Sequence, residues 1–328
     1  MKNIYGEEYK GDSTFIAKCR KLQSIYRVEI GEEIRPYKGR DGQVHYYGNY
    51  INKGEKPDTE KKCWKNFLTE YAFNYATKRT NPQNKKPYET IEKDRLFNNL
   101  LSSQPMAFNL FCPLRQMFED SPEKATGIIK AALPKYNIHK VTDIDLEFIP
   151  ENYKELSGDK SAMDAIIKFE KGDGSKGFIA IETKYSENLG TNVAYDKDEN
   201  GNNIPRQQSI KAIRNLQCFN PEIEEKINTG EIRLTQIYRN FLLSETYGVK
   251  QEYESFSIVL APEEHPSTKR EVASLSDALR EEYKMKIADV SLEDFITIII
   301  ANSPEEYKVI FERFYDRYLN FDKLKNIN

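Results

Sequence analysis

The sequence predicts an α/β fold in which helices flank a central mixed sheet. Three observations favour this class. The stretch from Ser161 to Glu187 has the pattern of two apolar strands joined by a glycine-rich turn. Shorter apolar segments that are typical of buried strands precede it at Ile144–Ile149 and follow it at Ser257–Ala261. Amphipathic helical patterns lie before, between and after these strands, so the elements alternate as they do in α/β folds.

The central hairpin is the clearest local prediction. Alternation and β-branched residues place its first strand at Ala162–Phe169 and its second at Phe178–Lys184. The sequence GDGSKG between them supplies the glycines that a tight connection needs. Both strands are rich in Ile, Phe and Ala, so we expect them to be buried on both faces and central to the sheet.

Helical spacing of apolar residues predicts the flanking elements. The segment after Ser257–Ala261 is expected to be helical throughout. We predict one domain over residues 1–328, with a core at about 91–261, an N-terminal extension at 1–90 and a C-terminal helical region at 262–328. The helices that bear on the core are predicted at Thr14–Arg27, Ile91–Leu101, Ser209–Gln217 and Leu234–Tyr247.

Composition limits the classes of function. The formal net charge is −3, so any binding to nucleic acid has to come from local basic regions. The four cysteines are scattered without a CxxC pair, which excludes a zinc knuckle and a disulfide framework as interpretations. No apolar run is long enough to span a membrane, and the first residues lack a signal-peptide pattern. We therefore expect a cytoplasmic protein with no membrane partner.

Three ionisable residues stand in the apolar hairpin and carry the candidate chemistry. Glu182 and Lys184 are two residues apart in one strand, so they point to the same face. Asp164 lies in the partner strand and comes beside Glu182 if the register allows it. Buried charges of this kind need pairing or a metal, and carboxylate oxygens are the ligands that Mg²⁺ takes. Asp164 and Glu182 are therefore the predicted ligands of Mg²⁺ or Mn²⁺, with Lys184 placed to orient a water molecule or to stabilise phosphate charge.

This arrangement resembles the PD-(D/E)xK nuclease superfamily, in which an Asp opens one strand and Glu-x-Lys closes the next. The matching residues are Asp164 and Glu182-Thr183-Lys184, while Met163 stands where the motif has proline. The order helix, strand, hairpin, helix, strand is similar to the αβββαβ core of the restriction-endonuclease-like fold. An exposed Glu–Lys face on an ordinary hairpin is the alternative reading.

A longer resemblance is to a bacterial family of restriction-endonuclease-like proteins. It involves the stretches NLLSSQPMAFNLF, DAIIKF, IAIETKYSE, QIYRNFLL and RYLNF. This resemblance implies that Gln104 and Asn109 are structural or support the site. It also implies a helix with Gln236 and Arg239 on the side of the metal, so Gln236 is a candidate supporting residue, unless this is an ordinary polar helix face.

In nucleases of this type a helix before the sheet often supplies a further carboxylate near the metal. The candidates are Glu92, Glu119 and Glu147, and we favour Glu92 because it begins the helix nearest a basic region. Each of them is otherwise a solvated surface acid.

Two acid-free basic regions are candidates for contacts with backbone phosphates. Solvated loops are the alternative interpretation. The first region lies between Tyr71 and Tyr88, and the second between Asn200 and Asn220. With Arg239 added, the candidate nucleic-acid-binding residues are Lys78, Arg79, Lys85, Lys86, Arg206, Lys211, Arg214 and Arg239.

The resemblance implies a metal-dependent nuclease, most simply a DNA endonuclease of restriction or defence type. A non-catalytic nucleic-acid-binding or scaffold protein with the same fold and an RNA-cleaving effector are the two alternatives. Cutting both strands of a duplex at once needs two metal sites, which a homodimer would provide; sequential nicking by one site is the other route.

Overall fold

The computed structural model describes residues 4–39, 42–52, 65–84, 90–190, 193 and 195–326. The helices are α1 (Thr14–Glu29), α2 (Glu70–Thr80), α3 (Lys93–Asn98), α4 (Ser103–Asp120), α5 (Pro122–Ala132), α6 (Tyr153–Leu156), α7 (Gln207–Leu216), α8 (Ile223–Asn228), α9 (Gln236–Gln251), α10 (Thr268–Ala278), α11 (Leu292–Asn302) and α12 (Glu305–Tyr318). The strands are β1 (Tyr37–Lys38), β2 (Val44–His45), β3 (Lys140–Phe148), β4 (Met163–Glu170), β5 (Lys176–Thr183), β6 (Tyr195–Lys197), β7 (Asn203–Pro205), β8 (Glu254–Ala261) and β9 (Ile287–Ser291). Short 3₁₀ turns occur at Pro134–Tyr136, Glu281–Lys286 and Phe321–Asn326.

A mixed five-stranded sheet with the order β3-β4-β5-β8-β9 forms the centre of the fold. Strand β4 runs antiparallel to both β3 and β5, whereas β5, β8 and β9 run parallel to one another. Strand β5 is the middle strand, as its apolar sequence predicted, and its residues from Gly177 to Thr183 are buried. The predicted α/β class with a central mixed sheet flanked by helices is confirmed.

Side chains alternate between two apolar layers along the central strand β5. Ile179 and Ile181 pack into a large core with residues of α4, α5, α11 and α12. Phe178 and Ala180 face the opposite layer, where they pack against Leu243 of α9. Glu182 belongs to this second set by the same alternation, so it is directed towards α9.

One strand lies where the sequence predicted only helices. Ile287–Ser291 pairs in parallel with β8, with Ser257 opposite Ile287 and Ala261 opposite Ser291. The segment has the sequence IADVS, which is too short and too polar to show the apolar run of a buried strand. It is an edge strand, and its residues after Ile287 are only partly buried, unlike those of the central strand.

The residues on both sides of the predicted core pack onto it. Phe15 of α1 and Phe73 of α2 belong to the same apolar cluster as Phe314 and Tyr318 of α12. The cluster also contains Ile179 of the central strand, so the layer on that side of the sheet is built from all three regions of the chain.

Within the described residues, no helix is long and apolar enough to cross a membrane.

Candidate active site

The register of the sheet places three carboxylates in one row. Leu146 pairs with Ala165 and Phe148 with Met163, so Glu147 of β3 is level with Asp164 of β4. Ala165 pairs with Ile181, and continuing this register by one residue places Asp164 opposite Glu182 of β5. Neighbouring strands lie about 4.8 Å apart, so the row Glu147, Asp164, Glu182 concentrates three acids at one end of the hairpin.

Asp164 is held from the adjacent strand by Thr183. Its Oδ2 accepts hydrogen bonds from the backbone N–H and from the hydroxyl of Thr183, both at 2.7 Å. Burial, together with the negative charges of Glu182 and Glu147, raises the pKa of Asp164 well above its ordinary value. The ionised form of this carboxyl group is thus unfavourable until a cation arrives.

Helix α9 fixes the carboxylate of Glu182 with two amide groups. Gln236 donates from Nε2 to Oε1 at 2.8 Å, and Asn240 donates from Nδ2 to Oε2 at 2.7 Å. The Oε1 of Gln236 in turn accepts from the backbone N–H of Gly190 at 2.9 Å, which sets the orientation of the amide. Glu182 is 7% exposed, so its position is defined by these partners. Gln236, the predicted supporting residue, therefore contacts Glu182 directly, and Asn240 does the same.

Lys184 is the cation of the site. Its Nζ lies 2.7 Å from Oε1 of Glu182, and its backbone N–H bonds to the carbonyl of Leu260 on β8 at 2.9 Å. Burial acts to lower the pKa of Lys184, but the charges of Glu182 and Asp164 outweigh it and the pKa is raised. The side chain therefore stays an ammonium group with a fixed position beside the carboxylates.

The upstream acid in the row is Glu147, and the preference for Glu92 is corrected by its position. Glu92 is exposed and accepts hydrogen bonds from the N–H groups of Asp94 and Arg95 at the start of α3. Glu119 accepts a hydrogen bond from Tyr71. Neither residue lines the cleft that is described below. Position along the chain could not distinguish the three acids, because only the strand register shows which of them is level with Asp164.

Glu147 has an unusual backbone conformation and two partners that hold it. Its φ is +50°, which is uncommon for a residue with a side chain. Gln104 of α4 donates from Nε2 to its Oε1 at 2.8 Å, and Arg79 of α2 donates to its carbonyl oxygen at 3.1 Å. Burial raises the pKa of Glu147, although the hydrogen bond from Gln104 acts in the opposite direction.

A polar cleft of about 490 Å³ opens over the row of carboxylates. All three acids, Lys184 and the supporting Gln236 line it. The cleft walls carry four further cations that come from separate elements of the fold. The lining residues are Thr90, Arg95, Ser103, Gln104, Glu147, Asp159, Lys160, Ser161, Ala162, Asp164, Glu182, Lys184, Val193, Arg206, Gln236 and Arg239.

Only part of the predicted basic set reaches this cleft. Arg206 and Arg239 line it. Lys78 and Lys211 are exposed elsewhere, and Arg214 is paired with Glu224 at 2.7 Å outside the cleft. The structure therefore places these three predicted phosphate contacts outside the cleft. Lys85 and Lys86 lie outside the described residues.

Arg79 was also predicted to contact phosphate, but the structure uses it internally. Its guanidinium group donates to the carbonyl oxygens of Leu146 and Glu147 and lies 3.6 Å from Asp145. Asn109 is likewise structural: it binds the backbone of Leu68 and the hydroxyl of Tyr318 away from the cleft. Gln104, in contrast, lines the cleft and holds Glu147.

Arg95 and Lys160 are cleft cations that the sequence did not indicate. Arg95 is placed by Glu187, whose Oε1 lies 2.9 Å from its Nη2. Glu187 also accepts from the N–H of Ser103, the first residue of α4. Neither cation lies in an acid-free basic region, and each comes near the carboxylates only through the fold, so no local pattern marks it.

The residues present fit a divalent cation by their chemistry. Within the described part of the chain, no group of three or more His, Cys, Asp and Glu side chains has an arrangement that could hold a metal ion as it stands. Yet the charges of Glu182 and Glu147 raise the pKa of Asp164, the charge of Glu182 also raises that of Glu147, and Oε1 of Gln104 is buried there without a hydrogen-bond partner in the described residues. Oxygen donors and excess negative charge are what Mg²⁺ or Mn²⁺ requires.

Comparison with known proteins agrees with this geometry. A family model described as the PD-(D/E)XK nuclease superfamily matches residues 10–320. No curated protein and no solved structure shows a significant match to the chain. The family match extends over nearly the whole sequence and includes the strands that carry Asp164, Glu182 and Lys184. The chain therefore belongs to the PD-(D/E)XK nuclease superfamily.

Proposed function

We propose that the protein is a divalent-metal-dependent endonuclease that cuts DNA, with a role in restriction or defence. Membership of the superfamily implies a nuclease that acts on nucleic acid. Metal-dependent cleavage is supported by one observation: Glu147, Asp164 and Glu182 form a row beside the ammonium group of Lys184. A binding or scaffold protein gains nothing from three adjacent acids, of which Glu147 and Glu182 are buried and Asp164 is half-buried, since they repel one another.

The proposed mechanism assigns a role to each side chain of the row. Asp164 and Glu182 would hold Mg²⁺ or Mn²⁺, and Glu147 would complete the acidic set. The metal, when bound, supplies Lewis-acid stabilisation of phosphate charge and a more acidic water. Gln236 and Asn240 keep Glu182 in place by donating to its two oxygens.

Lys184 provides the positive charge that the protein itself brings to the reaction. Its ammonium group has three donors, of which Glu182 takes one at 2.7 Å. The remaining donors can orient the attacking water and stabilise the charge that develops on the phosphate. Preorganised charge of this kind costs no rearrangement during the reaction.

Plasmid cleavage in Mg²⁺, in Mn²⁺ and in EDTA tests the proposal. We expect metal-dependent cutting by the wild type, and a loss of at least about 100-fold in the Lys184→Gln variant, because a preorganised charge is removed. Lys211→Gln is the matched control, since Lys211 is exposed and outside the cleft. Circular dichroism checks that all three proteins are folded.

The products and substrates separate the remaining alternatives. Nicked circles that later become linear would indicate sequential nicking, whereas direct linearisation would indicate a homodimer. Cutting of RNA but not of DNA would contradict the DNA assignment. Binding of nucleic acid without any metal-dependent cutting would support the scaffold reading and overturn the proposed function.

A further inference from the structure

Two arginines from different elements meet at one buried acid on the wall of the cleft. Asp159 is 6% exposed and precedes β4. Its Oδ2 lies 3.1 Å from Nη1 of Arg206, the residue before α7, and 2.9 Å from Nε of Arg239 on α9. Its Oδ1 accepts from the N–H of Ser161 at 2.8 Å. Asp159 is thus fixed by its own loop and draws both guanidinium groups to one place.

The charges in this cluster do not balance. Two guanidinium groups, always ionised, share the carboxylate of Asp159, and one carboxylate neutralises only one of their two positive charges. The side chains of Arg206 and Arg239 are only 25% and 15% exposed, so water screens the repulsion between them incompletely. Lys160 adds another positive charge to the same cleft wall. An anion with several oxygens would relieve this excess.

The arginine pair also has donors and a position that suit a phosphate. Nη1 of Arg206 makes both its contact with Asp159 and its hydrogen bond to the carbonyl of Gly158. Its Nε and Nη2 make no hydrogen bond within the described residues, and guanidinium groups bind phosphate oxygens in pairs. Arg239 lies three residues after Gln236 on one face of α9, and Gln236 holds Glu182. Arg239 therefore lies about one helical turn from the residue that binds Glu182 of the candidate metal site.

We propose that Arg206 and Arg239, held together by Asp159, bind a backbone phosphate that neighbours the cleaved one. This inference rests on the proposed function, because it requires a polynucleotide in the cleft. The site makes fast cutting depend on one flanking phosphate, so the enzyme recognises the backbone on one side of the cleaved bond. Asp159 is a positioning residue that acts through the two arginines.

Substitution of single phosphates in the substrate tests this site directly. A methylphosphonate replaces one charged oxygen by a methyl group and removes the charge of that phosphate alone. We expect the wild type to cut at least about 10-fold more slowly when one particular flanking position is neutral, since a bidentate arginine contact is lost there. In the Arg206→Gln/Arg239→Gln variant, cutting should be slow on the unmodified substrate and should not slow further with that replacement.

Arg214→Gln is the matched control. Arg214 lies on α7, eight residues after Arg206, but it is exposed and paired with Glu224. This variant should keep the wild-type pattern at every position. Thermal unfolding and circular dichroism verify that the double variant is folded, and Arg206→Lys/Arg239→Lys, which keeps the charge but loses the planar fork, should recover part of the sensitivity.

The results distinguish this inference from the proposed function. Retained sensitivity in the double variant, or no sensitive flanking position in the wild type, would overturn the arginine site. If the wild type cuts nothing, the proposed function fails, and the same oligonucleotides are then used in fluorescence-anisotropy binding with Ca²⁺. A position-specific loss of affinity in the wild type that is missing in the double variant would still support the site, whereas uniform or absent binding would overturn it.

Discussion

At the scale of single residues, Asp164 couples stability to pH and to the metal. Its pKa is raised by burial and by Glu182 and Glu147, so between its unfolded and folded values the folded chain binds more protons than the unfolded chain. The free energy of unfolding therefore decreases as the pH rises through this window. A bound divalent cation would reverse the effect, because it stabilises the ionised carboxylate.

Asp164→Asn should consequently stabilise the metal-free protein. Above the window we expect a gain of at least about 1 kcal/mol over the wild type, since the variant avoids a buried charge among like charges. The gain should vanish at acid pH, and Mg²⁺ should raise the Tm of the wild type but not of the variant. Thermal unfolding in EDTA and in Mg²⁺ across pH measures this.

Asp173 provides a control, because its pKa is shifted in the direction opposite to that of Asp164. It lies in the hairpin turn, where hydrogen bonds from the hydroxyl and N–H of Ser175 lower its pKa. Its contribution to stability is present above its unfolded pKa and is lost as the pH falls. Asp173→Asn should therefore give no gain at neutral pH. An Asp164→Asn variant that is less stable than the wild type at every pH would contradict the assignment of electrostatic repulsion to the row.

At the scale of elements, the sequence predicts where the two hairpin strands lie but not the register in which the strands of the sheet pair. Ala162–Phe169 and Phe178–Lys184 were predicted within two residues of β4 and β5, because burial on both faces leaves a dense apolar pattern. Strand β9 was not predicted, because an edge strand of mixed polarity lacks a dense apolar pattern. The row that includes Glu147 depends on pairing between distant segments, and a single sequence carries no direct record of register.

Helix α2 fixes the end of β3, and this can be measured. Arg79 donates to the carbonyl oxygens of Leu146 and Glu147, next to the positive φ of Glu147. Arg79→Met leaves two carbonyl oxygens without this partner, so we expect a loss of about 1–3 kcal/mol in the free energy of unfolding. Metal affinity, measured by calorimetry, should fall as well, because Glu147 loses its fixed position.

The neighbouring Lys78 is the control for this element. It is exposed on the same helix, so Lys78→Met should change stability by less than about 0.5 kcal/mol and leave metal affinity as it is. Equal effects of the two substitutions would contradict the role of α2 in placing Glu147.

At the scale of the whole molecule, a buried polar network joins both ends of the chain to the site. Arg317 of α12 is 1% exposed and donates to Oε1 of Gln23 on α1 at 3.2 Å and to the carbonyl oxygen of Asn66 at 2.8 Å. Gln23 donates in turn to the hydroxyl of Tyr185 at 3.1 Å. Tyr185 follows Lys184 directly, so the N-terminal and C-terminal helices both support the strand end that carries the ammonium group.

Arg317 should therefore control the stability of the entire domain. Its guanidinium group lies 4.1 Å from the ring centroid of Tyr26 and 4.6 Å from that of Tyr318, so a neutral side chain loses these contacts as well as the hydrogen bonds. We expect Arg317→Met to lower the free energy of unfolding by about 3–5 kcal/mol, as breaking buried polar networks does. Urea unfolding followed by far-ultraviolet circular dichroism measures the change.

The shape of the unfolding curve tests whether the chain is one domain. Because α1, α12 and the central strand share one apolar layer and this network, we expect a single cooperative transition for the wild type and for Arg317→Met. Arg313→Met is the control: Arg313 lies on the same helix, is exposed and, among the described residues, makes one hydrogen bond, to the carbonyl of Leu68. It should cost less than about 1.5 kcal/mol. Two separate transitions would show that the extensions unfold independently of the core, and the prediction of one domain over residues 1–328 would then be wrong.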